Sequence, residues 1–318
     1  MHRSSGQGDL GEAWLSSELG QNRRLEKIGL VFDWEAIDRL VSTVYGSRTG
    51  RPSWPPLLMF KALLLQQWYG LSDPGLEEAL WDRLSFRRFV GLGLDEGSPD
   101  HSVISRFRKV LRQAGLDQQL FEEVERQLDA RGLLVKRGTL MDATLVDAAV
   151  SKPGKPAGSR SPIDPDADWT RKGGKTYFGY KAHVAVDQGS GLIRRAELTA
   201  AKIADSLVAD DLVCGDERAV YADKAYEHKE RRARLKAAGV KDRIMHRSHK
   251  NQAGLPHWQA VRNQLISPIR SAVERVFGTL KRTYGYRRVR YRGLSANLMQ
   301  LRMLCIAFNL RKAQVLLA

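Results

Sequence analysis

Residues 138–146 read GTLMDATLV, and this short run decides what kind of molecule the chain makes. Its period of two predicts a β-strand with Leu140, Asp142, Thr144 and Val146 on one face. Asp142 is the anomaly on that face. A lone ionised carboxylate among apolar neighbours is costly, or takes up a proton. It needs a basic side chain, backbone donors or a metal, unless it sits at an edge or strand end in contact with water.

Working outward, the strand grammar continues downstream. Residues 175–186 (KTYFGYKAHVAV) read as a second strand, 187–191 (DQGSG) as a hairpin turn and 192–198 as a third strand. Between the first two strands, residues from about 148 to 175 are rich in Ser, Gly, Pro, Lys and Asp, and read as an exposed, mobile loop. Residues 205–214 read as a short helix. Residues 219–222 form a short apolar strand that ends at Asp223, residues 226–238 a charged helix and residues 242–245 a further strand. In residues 268–282, Val273, Val276, Phe277 and Leu280 recur at helical spacing, and residues 297–315 are apolar and helical. A meander followed by strand, helix, strand and long helices predicts an α/β fold, a mixed sheet with helices on its faces.

Upstream the pattern is all-helical. Residues 1–22 are polar and Gly/Ser-rich and read as a flexible tail. Pro55 and Pro56 open a helix to about Tyr69, Asp73-Pro74 opens another to about Val90, and residues 91–99 (GLGLDEGSP) form a turn. In residues 100–111, Val103, Ile104, Phe107, Val110 and Leu111 make an apolar stripe, with Arg106, Arg108, Lys109 and Arg112 among the residues around it. Two helices about a Gly-rich turn, the second with a basic face, resemble a helix-turn-helix, although this turn exceeds the usual length. A solvated basic face in a helical bundle is the other reading. The chain thus divides into a tail to residue 22, a helical domain over 23–132 and a sheet-bearing domain over 133–318.

Charge separates the two domains. The chain of 318 residues carries a formal net charge of +16. Residues 1–130 hold 16 Lys and Arg against 19 Asp and Glu, whereas residues 131–318 hold 36 against 17. The densest run is 241–292, with 13 bases and only two acids, Asp242 and Glu274. Such a half expects a polyanion, most simply nucleic acid, although a ribosomal or membrane-surface protein could share the balance. Cys214 and Cys305 lack metal-ligand spacing and fit a reducing cytoplasm. No run approaches the ~18 apolar residues of a membrane span, and the first residues lack a signal-peptide core. Zinc spacing, a nucleophile elbow and a phosphate-binding Gly-rich Lys-Ser/Thr loop are all absent.

Glu274 lies on the 268–282 helix, one turn after Arg270 and two before Lys281, so the three project from nearly one face. By itself this is an ordinary ion-pair row. Asp223 is open to an equally plain account as an N-cap, although the capping-box position holds Tyr226. Asp147, Asp187 and Asp205 are explained as turn or cap residues. Taken together, Asp142, Asp223 and Glu274 form a sparse acidic set in a basic domain. Three carboxylates suit Mg²⁺ or Mn²⁺, hard cations that prefer oxygen and can work in pairs on a phosphodiester.

The motifs resemble those of bacterial insertion-sequence transposases of the DDE class, within the insertion-sequence-five family and the related insertion-sequence-four superfamily. The run from RPSWPPLLMF to RRFVGL resembles that family's N-terminal helical domain, MDATLVDA its first-Asp segment and FGYKAHVAVD the following strand. VYADKAYEHKE resembles the second-Asp segment, and RSAVERVFGTLKR carries the Arg, Glu and Lys of the signature around the third acid. Ser267 stands where that signature usually has Tyr. The resemblance implies a ribonuclease-H-like catalytic fold. It implies Asp142, Asp223 and Glu274 as metal-holding acids assisted by Arg270 and Lys281, with two Mg²⁺ or Mn²⁺ ions. The implied activity is cleavage of DNA at element ends and strand transfer into target DNA by a homodimer or higher multimer, in the cytoplasm at the nucleoid. Lys224, Arg282, Arg287, Arg288, Arg290 and Arg292 join the helical-domain bases as expected DNA contacts. A DNA-binding regulator that no longer cuts, and a ribonuclease-H-like nuclease without strand transfer, are the competing readings.

Overall fold

The computed structural model describes residues 21–44, 53–154, 161–248 and 254–317. Most of the expected tail, and residues 155–160 of the expected loop, lie outside the described residues. Two compact units emerge. One holds the described residues through Arg131 together with those from Arg302 onward, and the other is Gly132–Leu301.

The first unit is helical: α1 Arg23–Val31, α2 Trp34–Val41, α3 Pro56–Tyr69, α4 Asp73–Asp82, α5 Leu84–Val90, α6 His101–Gln113 and α7 Leu116–Ala130. Helix α3 is buried almost all round, as its Leu-rich sequence requires. The single helix expected from Asp73 to Val90 is two, because Arg83 adopts extended backbone (φ −104°, ψ 104°). The cap of α4 is Ser72, whose Oγ accepts the Gly75 amide, and not Asp73. The last described residues also depart from the expected division, which grouped them with the sheet. The Trp68 indole donates to the Ala307 carbonyl at 2.8 Å, and Arg302 pairs with Asp117 at 2.8 Å. These bonds tie them to the helical unit.

The second unit is a mixed sheet flanked by helices. Its strands are β1 Thr139–Asp147, β2 Asp168–Lys172, β3 Lys175–Asp187, β4 Ile193–Ala200, β5 Ala219–Ala222 and β6 Lys241–Ile244. The order runs β2-β3-β1-β5-β6, with β4 also paired to β3. β3 is antiparallel to β1, β2 and β4, whereas β5 is parallel to β1 and to β6. The meander and the strands at 219–222 and 241–244 match the sequence reading. Strand β2 lies inside the stretch expected as a loop, because its alternation (DWTRK) is hidden by Gly- and Pro-rich flanks. The helix expected over 205–214 reduces to a 3₁₀ turn, Asp205–Leu207, followed by turns.

Alternation along β1 divides the sheet's faces. Met141 joins Ala185, Val220 and Ala222 in a core closed by Leu212, Tyr226 and Leu235. Leu235 belongs to α8, Lys229–Ala237. Leu140 and Asp142 therefore face the other side. That side carries α9, His257–Arg270, and α10, Ala272–Arg282, which pack on the β1–β5 region. The expected 268–282 helix is thus the junction of two helices that meet at Ser271, with Pro268 inside the first. Helix α11, Leu294–Leu316, follows.

Candidate active site

Strand register does what sequence distance conceals. Thr139 pairs in parallel with Val220, and Leu140 with Tyr221. Carried two residues further, that alignment sets Asp142 level with Asp223, the first residue past β5. In-register neighbours on adjacent strands point to one face and lie about 5 Å apart. Asp223 also caps the 3₁₀ turn Lys224–Tyr226 by accepting the Ala225 amide. The N-cap account is therefore true of it, and leaves its position beside Asp142 unchanged.

Asp142 lies in the middle of β1, and its side chain keeps 19% of its surface exposed. Its Oδ1 accepts the Ala143 amide at 2.8 Å, and its Oδ2 accepts Arg270 Nη1 at 2.9 Å. Arg270 Nη2 donates to Glu274 Oε1 at 3.1 Å. One guanidinium at the end of α9 thus holds an acid from β1 and an acid from α10. Burial pushes the Asp142 carboxyl above the usual carboxylate range; the Ala143 amide and Arg270 pull it back, and the Asp223 charge pushes it up again. Packing dictates this arrangement. Val273, Val276, Phe277 and Leu280 are the buried residues of α10, which leaves Glu274 on the helix's open side.

Lys281 is not among the acids. Its Nζ donates to the Leu145 carbonyl at 2.8 Å, and burial, with Lys172 and Arg287 nearby, lowers its pKa against the pull of Asp147. Tyr226 is a neighbour that sequence reasoning did not single out. It is fully buried, and its hydroxyl has no hydrogen-bond partner among the described residues. Burial, and then Asp205, Asp142 and Asp223, push its pKa above the ordinary tyrosine value and keep the phenol neutral. Its one sequence signal was negative, as the aromatic residue that spoils a capping box.

The expected DNA contacts divide. Lys224, Arg282, Arg287, Arg288 and Arg292 are exposed, and Arg290 is half-buried. Asp147 donates its amide to the Arg287 carbonyl and accepts from the Val289 amide, both at 2.9 Å, which fixes Arg287 and Arg288 at the end of β1. In the helical unit Arg106 and Lys109 are exposed and Arg112 is half-buried. Arg108 does not meet the expectation: it bonds Asp73 Oδ2 at 3.0 Å and Gln66 Oε1 at 3.2 Å, a bond inside the unit. The sequence reading also passed over Arg171, Lys172 and Lys175, bases exposed around a β2–β3 turn whose Lys-Gly-Gly-Lys sequence is itself a hairpin signal.

Among the described residues, no three His, Cys, Asp or Glu side chains are gathered closely enough to grip a metal as they stand. The Arg270 guanidinium lies between Asp142 and Glu274. The donor chemistry nevertheless fits a hard divalent cation, since the candidate ligands are carboxylate oxygens.

Residues 134–310 match the family model described as "Transposase DDE domain", and residues 14–110 match "Transposase domain (DUF772)". Among solved structures, the chain is similar to the piggyBac transposase of a synaptic complex with hairpin DNA. That likeness has a TM-score of 0.42 and 11% identity, over 94% of this chain and 73% of that one. Families of this kind generally use divalent metal ions, and among the described residues no helix is long and apolar enough to cross a membrane.

Proposed function

The chain belongs to the DDE-domain transposase family, enzymes that cleave and rejoin DNA, and on that premise we propose that Asp142, Asp223 and Glu274 are its catalytic acids. One observation carries the assignment. Arg270 bonds both Asp142 and Glu274, while the β1–β5 register sets Asp223 beside Asp142. Three acids separated by long stretches of chain share one side of one sheet, and a basic segment adjoins them.

The ligands would be these three carboxylates, and the cations Mg²⁺ or Mn²⁺, two of them. Bound there, they supply Lewis-acid charge to the attacking and leaving oxygens of a phosphodiester. The chain's own groups do the rest. Asp142 and Asp223 are fixed by strand register and need no rearrangement to stay adjacent. Arg270 restrains Asp142 and Glu274, and its guanidinium would also suit a phosphate oxygen of the substrate. Lys281, held on the Leu145 carbonyl, and Arg287 and Arg288, held on Asp147, carry positive charge along the same strand, where a DNA backbone would pass. The substrates on this reading are the element's terminal inverted repeats and a target duplex, brought together by a homodimer or larger assembly at the nucleoid.

A strand-transfer assay on paired element ends tests the assignment. The parent protein should nick and join in Mg²⁺ or Mn²⁺, and Asp142→Asn or Asp223→Asn should abolish both steps while DNA binding persists. Nicking without joining would favour a plain nuclease, and binding without nicking a silent regulator. Normal nicking by either variant would remove that acid from the site.

A further inference from the structure

The β2–β3 hairpin is a built element with an unusual tip. Asp168 pairs with Gly179 at its base, and Lys172 with Lys175 at its end. Gly173 and Gly174 make the turn with φ of 57° and 77°, the doubly positive geometry that glycine adopts without strain. The ribbon is anchored three ways. The Trp169 and Phe178 rings lie 5.1 Å apart, Lys202 pairs with Asp168 at 2.5 Å, and Lys152 Nζ donates to the Thr176 carbonyl at 3.1 Å. The result is a stiff two-stranded ribbon that ends in Arg171, Lys172 and Lys175, all exposed.

Like charges directly opposite each other destabilise an antiparallel pair, and Lys172 faces Lys175 across the turn. Asp168, the acid at the hairpin's base, is engaged by Lys202. No acid among the described residues forms an ion pair with Arg171, Lys172 or Lys175. Among the described residues the repulsion is therefore left standing. Lys172 and Arg287 both lie within electrostatic reach of Lys281, whose Nζ is fixed on the β1 carbonyl of Leu145. The hairpin tip consequently continues the basic surface that begins beside the candidate acids. A basic β-ribbon has the width to follow a duplex groove, and ammonium and guanidinium groups at its end suit phosphate.

We propose that the 168–179 hairpin is a DNA arm whose tip engages backbone phosphates of duplex DNA beside the scissile bond. The inference rests on reading Asp142, Asp223 and Glu274 as the cleavage site. Contacts to backbone phosphates position the duplex and carry no base sequence of their own.

The test compares the full-length parent with the triple variant Arg171→Ala, Lys172→Ala, Lys175→Ala. A charge-retaining variant, Arg171→Lys, Lys172→Arg, Lys175→Arg, serves as the third arm. Affinity for a labelled duplex of arbitrary sequence is measured by fluorescence anisotropy across a salt series. Each phosphate contact contributes about 0.9 to the slope of log affinity against log salt, so the alanine variant should lose about 2 to 3 from that slope. The charge-retaining variant should keep the parental slope. A parent that binds duplex, with an alanine variant of unchanged slope, would overturn the arm and leave the cleavage site untouched. Equal loss in both variants would overturn it as well, since the effect would then come from shape and not charge. A parent with no affinity for duplex would overturn the arm together with the function it rests on.

Discussion

Replacing Glu274 with Gln separates an ion-pair row from a catalytic acid. The substitution keeps the shape of the side chain and removes one negative charge. The Glu274 side chain is 61% exposed, and its carboxylate accepts one bond from Arg270, four residues earlier, at 3.1 Å. Exposed pairs of this spacing are worth about 0.3–0.5 kcal/mol. Arg270 keeps its other partner, Asp142, at 2.9 Å, so no buried charge is stranded. Stability should fall by less than about 1 kcal/mol, which moves Tm by about 2–4 °C in a domain of this size. The catalytic expectation is much larger. Loss of one preorganised group that stabilises charge in the transition state costs about 10²–10³ in rate, equivalent to about 3–4 kcal/mol. Binding to element ends should be unchanged or tighter, because a charge that repels phosphate is gone. The assay uses purified parent and variant, a labelled end duplex, and Mg²⁺ or Mn²⁺. Nicking is followed on a denaturing gel, binding by anisotropy and folding by a thermal melt. Wild-type nicking by Glu274→Gln would refute the assignment, and the helix face would revert to a row of surface ion pairs. A fall in Tm beyond about 10 °C would instead refute the energetic reasoning, since an exposed pair cannot carry it.

How much of this site was legible in the sequence depends on the range of the forces involved. Asp142 was visible because an acid in an apolar period-two run needs an explanation, and Asp223 because a four-residue apolar strand stops at it. The bond that joins them to Glu274 was not visible. Arg270 and Asp142 are 128 residues apart, and only the packing of α9 and α10 on the sheet makes them partners. Expectation, from the spacing of Val273, Val276, Phe277 and Leu280, ran one helix from Pro268 to Arg282. The structure carries α9 through Pro268 and breaks at Ser271, so that Arg270 ends one helix and Glu274 begins the next. Local composition misled at the hairpin, where Ser, Gly and Pro nearby concealed five alternating residues. At residues 205–214 the segment buries Val208, Ala209 and Leu212 through a 3₁₀ turn and successive turns, so apolar content alone did not distinguish it from a helix. Arg108 was misread for a similar reason. A base on a helix looks alike in sequence whether it meets a phosphate or Asp73.

Three further outcomes follow from the geometry. Arg108→Ala should cost about 1–3 kcal/mol by leaving Asp73 without its charged donor, and should leave the salt dependence of DNA binding as it was; thermal melts and anisotropy check the two halves. Gly179→Ala should cost at least about 3 kcal/mol, seen as loss of soluble folded protein, because its Cβ would meet the Val146 carbonyl oxygen at 2.3 Å and the Ala148 nitrogen at 2.6 Å. His183 should give the protein an acid-sensitive step. It is fully buried, with Nε2 2.9 Å from Thr199 Oγ1, and burial holds its pKa down at about 4 against an ordinary 6.5, Asp205 opposing the shift and Lys181 adding to it. A depressed histidine favours the folded state in its neutral form. Its contribution is complete above pH 6.5 and is lost as pH falls through that value toward about 4, because the unfolded chain takes up the proton first. The loss is on the order of 3 kcal/mol. Denaturant titrations across that window should show it, and His183→Gln should flatten the slope; a parent whose stability is level between those limits would show that the folded protein accommodates the imidazolium after all.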